Sequence, residues 1–326
     1  MPILLTEADV RPLLTMDDLI PAMSAALAAF SARQVQQPLR TVLTVGEQHA
    51  FYGVMPAYIP GTPALGTKLV TVFSGNPARG LTTHLATIVL LDPETGALLS
   101  LMDGRYITEA RTAAVSAVSV QHLAREDAAV LAILGTGVQA RSHLEAIARV
   151  RKLQDVRVWS RTSANADIFI REMQPHFDCT LRTVDSAKDA VRDASIVALT
   201  TASKEPVVHS DWIGDGTHIC AVGACRPTER EMEGALVARA DLYVDSREAA
   251  LAEAGDIVLP IKDGLIDPSH IKAELGEVTG GIVSGRVSGD RVTIFKSLGM
   301  AVEDVVAAHL VYQRAMARGV GQVVTL

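Results

Sequence analysis

"AAVLAILGTGVQARSHLEAIARV", residues 128–150, decides how the rest of the chain is read. Its first seven residues are apolar without a break, the pattern of a strand buried on both faces. Gly135, Thr136 and Gly137 interrupt the run, and from Val138 apolar residues return at helical spacing. The two glycines and Ala140 form G-x-G-x-x-A directly between strand and helix. In that setting Gly135 permits the tight turn, Gly137 lets backbone approach a pyrophosphate, and Ala140 lets helix and strand touch. The helix start adds free N–H groups and a partial positive charge. The expectation is a dinucleotide-binding βαβ unit.

The pattern continues downstream. "DVRVWS" (155–160), "CTLRTV" (179–184), "SIVALTT" (195–201), "THICAVGA" (217–224) and "ADLYVDS" (240–246) read as strands. "ANADIFIREM" (164–173) and "AKDAVRDA" (187–194) read as helices among them. Strands alternating with helices predict an α/β fold with a Rossmann-type doubly wound parallel sheet. Upstream, residues 1–116 read as mixed α and β. "TMDDLIPAMSAALAAFSARQ" (15–34) has helical periodicity. "RTVLTV" (40–45), "HAFYGVMPAYI" (49–59) and "LGTKLVTVFSG" (65–75) are strand-like. "ATIVLLDPETGALLSLMDG" (86–104) reads as a hairpin turning on "DPETG". Helical spacing resumes from Ile107 to Leu123 and again in "MAVEDVVAAHLVYQRAMARG" (300–319).

The end of the strand Asp155–Trp159 identifies the cofactor. An acidic residue there would hydrogen-bond the ribose 2′-hydroxyl of NAD, whereas an arginine accommodates a 2′-phosphate. This chain has Ser160, Arg161 and Thr162, with Asn165 close behind. The planar fork of Arg161 suits a phosphate, and its neighbours add neutral hydrogen-bonding groups. The reading is NADPH, with NADH possible because an arginine attracts the phosphate without rejecting its absence.

Three cations stand where charge is expensive. Arg40 follows "QQPL", Lys68 lies inside the apolar strand "LGTKLVTV", and Arg111 lies in the small-residue helix "EARTAAVSA". Such residues are either ion-paired or used. Two guanidiniums and an ammonium would make a pocket for a carboxylate, and a structural ion pair for each is the equal alternative.

Composition bounds the rest. With 326 residues, 48% of them hydrophobic and 21% charged, the chain can build two domains or one large α/β unit. A net charge of −7 and the absence of a basic run argue against nucleic acid and a membrane surface as partners. Cys179, Cys220 and Cys225 form no CxxC pair and no zinc spacing, which points to a reducing, cytoplasmic setting. The start "MPILLTEADV" reaches acidic residues too soon for a signal peptide, and no apolar run approaches the ~20 residues of a membrane span.

Several stretches together carry a resemblance. "LGTKLV", "MDGRYITEARTAAVSA", "GTGVQARSH", "AVGACRPTERE", "VDSREAALAEAGD", "AELGEV" and "FKSLGMAVED" occur in the order of the ornithine cyclodeaminase/mu-crystallin family, which the chain resembles over nearly its whole length. Through "VGACRP", "VDSREAAL" and "FKSLGMAVED" it is most similar to the ketimine reductase (Δ1-pyrroline-2-carboxylate reductase) branch. The resemblance implies a homodimer. It implies a dimerisation and substrate domain of residues 1–116 and 299–326, α+β in class, and a Rossmann NAD(P)-binding domain of residues 117–298.

It also implies that Arg40, Lys68 and Arg111 face the substrate, with Arg111 also against the cofactor. Thr83 and His84 match positions at the cofactor or the same cleft. Thr136, Val138, Gln139, Thr200, Val222 and Ser297 match nucleotide-contacting positions, and Thr201 is grouped with Thr200. Cyclodeaminases carry an aspartate base where this chain has Cys225, and a glutamate near Gly53, so the resemblance weighs against ornithine deamination.

The implied reaction is reduction of a cyclic imine carboxylate, either Δ1-pyrroline-2-carboxylate to L-proline or Δ1-piperideine-2-carboxylate to L-pipecolate. Arg40 and Arg111 clamp the carboxylate, while Lys68 orients it or relays a proton, its pKa lowered by the apolar strand and cationic neighbours. Glu253 is a further candidate for placing the ring nitrogen, against the leading alternative of a surface carboxylate at a helix end. The alternatives are a cyclodeaminase or an NAD(P)-dependent amino-acid dehydrogenase. A third, of another class, is a non-catalytic protein that binds NADPH and a small ligand.

Overall fold

The structure, a computed structural model, describes residues 1–46, 50–61 and 64–325. His49, which opens one expected strand, and Leu326, which ends the first expected domain, lie outside the described residues. The chain forms two compact units, Met1–Arg111 with Gly299–Leu326, and Thr112–Leu298. It passes from the first to the second between Arg111 and Thr112, slightly before the expected step after residue 116.

In chain order the first strands are β1 (Ile3–Leu5), β2 (Thr41–Val45), β3 (Ala50–Ile59), β4 (Ala64–Val72), β5 (His84–Leu91) and β6 (Leu98–Asp103). There follow β7 (Val130–Leu134), β8 (Asp155–Trp159), β9 (Thr180–Thr183), β10 (Ile196–Leu199), β11 (His218–Ala221), β12 (Asp241–Val244), β13 (Ile271–Glu274), β14 (Thr293–Lys296) and β15 (Gln322–Val323). The longer helices are α1 (Met16–Ser31), α2 (Arg105–Leu123), α3 (Val138–Val150), α4 (Ser163–Met173), α5 (Arg247–Glu253), α6 (Gly255–Lys262) and α7 (Ala301–Arg318).

In the first unit the described strands make one sheet in the order β15-β1-β6-β5-β4-β3-β2. From β2 to β6 the neighbours are antiparallel. The expected hairpin turn joins β5 to β6, with Asp92 Oδ1 accepting from the backbone of Glu94 and Thr95. β4 shows why the sheet is two-sided. Ala64, Gly66, Lys68 and Val70 are buried, while Leu65, Thr67, Leu69 and Thr71 between them are half-buried. The buried face is covered by α7, which packs on β3, β4, β5 and α1. Gly66 makes the close approach possible, since a Cβ there would stand 2.7 Å from the Val89 carbonyl oxygen and 3.3 Å from Val305 Cγ2. The opposite face leaves Tyr52, Val54, Tyr58, Leu65, Leu69 and Val89 only half-buried.

The second unit holds a parallel sheet in the order β13-β12-β14-β11-β10-β7-β8-β9. Read from the β9 edge, its first five strands run third, second, first, fourth, fifth, so the winding reverses between β7 and β10. The strands are buried on both faces. Leu131, Ile133, Val156 and Val158 pack with Leu144, Ile147 and Phe169 from α3 and α4. Leu134, Val197, Leu199 and Ile219 pack with Val208 and Leu236 on the other side. This is the expected doubly wound α/β fold. Periodicity does not resolve α5, α6 and β13, and β14 inserts between β11 and β12 out of chain order. These elements are short and α6 contains Pro260, so packing on the sheet determines them more than local pattern does. Among the described residues no single helix is long and apolar enough to cross a membrane.

Candidate active site

The first unit gathers two of the three expected cations. Lys68 sits mid-strand on the buried face of β4, 2% exposed. The first turn of α7 brings Glu303 and Asp304 to the same place, both fully buried. Lys68 Nζ lies 2.5 Å from Asp304 Oδ2, Arg111 Nε 2.9 Å from Asp304 Oδ1, and Arg111 Nη1 2.6 Å from Glu303 Oε2. Two cations and two carboxylates therefore form one buried, electrically neutral quartet. The backbone closes around it at Gly299 (φ +82°), where a Cβ would stand 2.4 Å from Arg111 Nη1.

Burial pushes the Lys68 ammonium down to about 8, and Arg111 adds to the fall while Asp304 opposes it. Burial also pushes the Asp304 carboxyl up, but Arg111 and Lys68 outweigh this and hold it below the usual range. His84 opens β5 and is driven to about 4 by burial, then by Lys68 and Arg111, so it is neutral at neutral pH. Thr83 is half-buried just before it, its carbonyl accepting from Phe73 N at 2.9 Å. Arg40 lies one residue ahead of β2. The register sets Thr41 opposite Val54 and Met55 opposite Lys68, so Arg40 falls in the Lys68 row. At Gly53 a Cβ would meet Phe51 Cε1 at 2.8 Å and Val70 Cγ1 at 3.0 Å, so a larger residue there would require those side chains to shift.

Glu303 and Asp304 were not legible as site residues. Acids in the first turn of a helix are common partners of the helix dipole, and nothing local marks these two as buried.

The second unit carries the glycine turn. Gly135 has φ +106°, and a Cβ there would stand 2.7 Å from the Thr200 carbonyl oxygen. Gly137 caps α3, with open space where its Cβ would be. Ala140 is fully buried against the sheet. Arg141 N bonds Gly137 O at 3.4 Å, so the N–H groups of Val138, Gln139 and Ala140 lie in the unbonded first turn.

Thr136 Oγ1 reaches Ser160 Oγ at 3.5 Å, and Ser160 Oγ accepts from Thr162 N at 3.4 Å. Arg161, Thr162 and Asn165 are exposed beside them. Thr200, Val222 and Ser297 extend the ladder past the ends of β10, β11 and β14, through bonds to Leu134, Leu199 and Ala221. Gln139 Oε1 and Ser297 Oγ are buried without a hydrogen-bond partner among the described residues. An open glycine cradle, a free helix start, buried unpartnered oxygens and an exposed arginine past β8 fit a phosphorylated dinucleotide. Glu253 ends α5 in this unit, half-buried, while Arg40, Lys68 and Arg111 belong to the first.

A family model described as the ornithine cyclodeaminase/mu-crystallin family matches residues 1–319. The chain belongs to that family. The ketimine reductase mu-crystallin of Rattus norvegicus is 46% identical over 297 residues, covering 90% of this chain and 91% of the relative. The structure of Thermococcus litoralis Δ1-pyrroline-2-carboxylate reductase in complex with NADH and L-proline matches with a TM-score of 0.97 at 39% identity, over 99% of this chain and 100% of that one. An archaeal alanine dehydrogenase dimer with bound NAD matches at 0.95 and 32% identity, over 100% and 99%. The resemblance seen in the sequence motifs and the Rossmann-type fold class are both borne out.

Proposed function

We propose that this protein reduces small cyclic imine carboxylates, Δ1-pyrroline-2-carboxylate to L-proline and Δ1-piperideine-2-carboxylate to L-pipecolate, with NADPH as preferred hydride source and NADH also usable. The observation that carries the reading is a lysine buried in a strand, at about 8, beside a buried arginine. Ketimine reductase among the relatives, and a similar structure holding NADH and L-proline, support it.

When bound, the reduced nicotinamide supplies the hydride. The chain's own residues bind, orient and move a proton. Arg111, its guanidinium fixed by Glu303 and Asp304, binds the substrate carboxylate, and Arg40 is its second clamp. Lys68 remains largely protonated at neutral pH yet gives up its proton easily, which suits delivery to the imine nitrogen. His84 and Thr83 line the same place, the histidine neutral.

In the second unit the first-turn N–H groups of Val138 and Gln139, with Gly135, Thr136 and Gly137, hold the pyrophosphate. Ser160, Arg161, Thr162 and Asn165 take the 2′-phosphate side, and Thr200, Thr201, Val222 and Ser297 the remainder. Glu253 is a weaker candidate for the ring nitrogen. One methylene between the two substrates is worth only about 1–3 kcal/mol, so both are turned over.

The reading includes a homodimer built on the half-buried face of the first sheet, supported by the dimeric alanine dehydrogenase. It also places the protein in the cytoplasm, in keeping with three free cysteines among the described residues.

The test is oxidation of NADPH and NADH, followed by nicotinamide absorbance, with Δ1-pyrroline-2-carboxylate. Oxidation with formation of L-proline is expected, with the lower KM for NADPH. No oxidation with either cofactor overturns the reading, and ammonia release from L-ornithine would replace it with a cyclodeaminase. Lys68→Ala separates catalysis from ligand storage, since NADPH binding should persist while turnover falls about 10²–10⁴-fold.

A further inference from the structure

We infer that Glu231 is a positioning residue for cofactor binding, clasping together the two loops that leave β10 and β11. The inference rests on the reading of the second unit as the nucleotide site. Those loops begin at Thr200 and Val222, at the carboxyl ends of adjacent parallel strands. Beside them the winding of the sheet reverses, which is where such folds bind ligands.

Glu231 comes from a later segment and is fully buried. Its Oε1 accepts from Thr201 N at 2.8 Å and Thr201 Oγ1 at 2.7 Å, and its Oε2 accepts from Gly223 N at 2.7 Å. Each carboxylate oxygen is thus committed to a different loop. The loops touch, since a Cβ on Gly223 would stand 2.0 Å from the Thr201 carbonyl oxygen and 2.6 Å from Glu231 Oε1. The neighbouring Thr200 carbonyl is the group against which Gly135 packs. A shift of the clasp would therefore reach the glycine turn itself.

The backbone that carries Glu231 is held from behind. Asp256 Oδ1 accepts from Glu231 N at 2.8 Å and Met232 N at 3.0 Å, and Asp256 Oδ2 pairs with Lys296 Nζ at 3.1 Å. Two carboxylates and one ammonium, all fully buried, are a poor way to gain stability, because apolar residues of equal volume do as well. Fixing two loops in register is a function that apolar residues could not perform. Glu231 acts on the cofactor only through Thr200, Thr201 and Val222.

Glu231→Gln tests this in the full-length protein. The amide keeps the shape but offers only one acceptor oxygen, so one loop meets an N–H donor where it had an acceptor. Fluorescence titration should show NADPH bound about tenfold more weakly, and hydrogen exchange without cofactor should quicken at the Thr201 and Gly223 amides. The KM for NADPH should rise while that for the imine stays near wild type. Thr201→Val keeps the backbone bond to Glu231 but removes the hydroxyl, which also accepts from Ser203 N at 3.2 Å, and should weaken NADPH in the same direction by less. A Glu231→Gln protein with a lowered melting temperature but wild-type NADPH affinity and exchange overturns the inference, leaving Glu231 structural. Wild-type protein that binds neither NADPH nor NADH overturns instead the nucleotide reading beneath it.

Discussion

At the scale of the residue, Lys68 and Arg111 betrayed themselves in the sequence because charge inside an apolar element must be paired or used. The structure shows the pairing, for each cation lies against α7 carboxylates. Asp304 is the hinge of this arrangement, one oxygen on each cation. Its charge raises the pKa of Lys68 against burial and Arg111. Asp304→Asn should therefore lower that pKa further, and the alkaline limb of kcat against pH should move to lower pH. A limb that stays in place would show that Lys68 ionisation does not govern turnover. The partners themselves were illegible, since an Asp in a first helical turn is ordinary and only burial distinguishes this one.

At the scale of the element, the segments that read correctly are those whose pattern is written locally. β7 and β8 are continuous or alternating apolar runs ended by Gly135 and Ser160, and α3 follows with a 3.6-residue period. The turn between β7 and α3 depends on Gly135 for two reasons, its positive φ and its contact with Thr200. Gly135→Ala should cost about 1–3 kcal/mol of stability and weaken NADPH binding together, measured by urea unfolding and fluorescence titration. Wild-type values for both would mean that the turn relaxes freely and does not frame the nucleotide. By contrast α5 and α6 abut at Gly255, where a Cβ would stand 2.0 Å from the Glu229 carbonyl oxygen. That break is set by a chain segment distant from any local period.

At the scale of the molecule, two properties follow from burial. His143 and His218 are fully buried and are pushed to about 4 and about 3, burial being the chief cause. An unfolded histidine titrates near about 6.5. Below that pH the unfolded chain takes up protons that the folded chain refuses, so stability falls as pH drops from about 6.5 toward about 4. Each group contributes up to ~1.4 kcal/mol per pH unit. The urea midpoint should be lower at pH 5 than at pH 7.5, and equal midpoints would refute the linkage. The second is the proposed assembly. The outer face of the first sheet carries Tyr52, Val54, Leu65, Leu69 and Val89 half-buried, an apolar face that would suit the proposed homodimer. Leu69→Lys should convert a dimer to monomer in sedimentation, and a wild-type chain that already sediments as a monomer would refute this use of the face.

Local pattern alone determined the parallel sheet, the glycine turn, the absence of an acid at Ser160–Thr162 and the anomalous cations, because each is a matter of periodicity or of a residue type out of place. Only the tertiary structure decided that Glu303 and Asp304 complete the Lys68 quartet and that Glu231 joins Thr201 to Gly223. The reason is physical. A carboxylate acquires its role from what lies within hydrogen-bond reach and from how little water is left there. Here the partners of Asp304 and Glu303 stand some two hundred residues away in the chain, at separations of 193 and 192, a distance across which no sequence period extends.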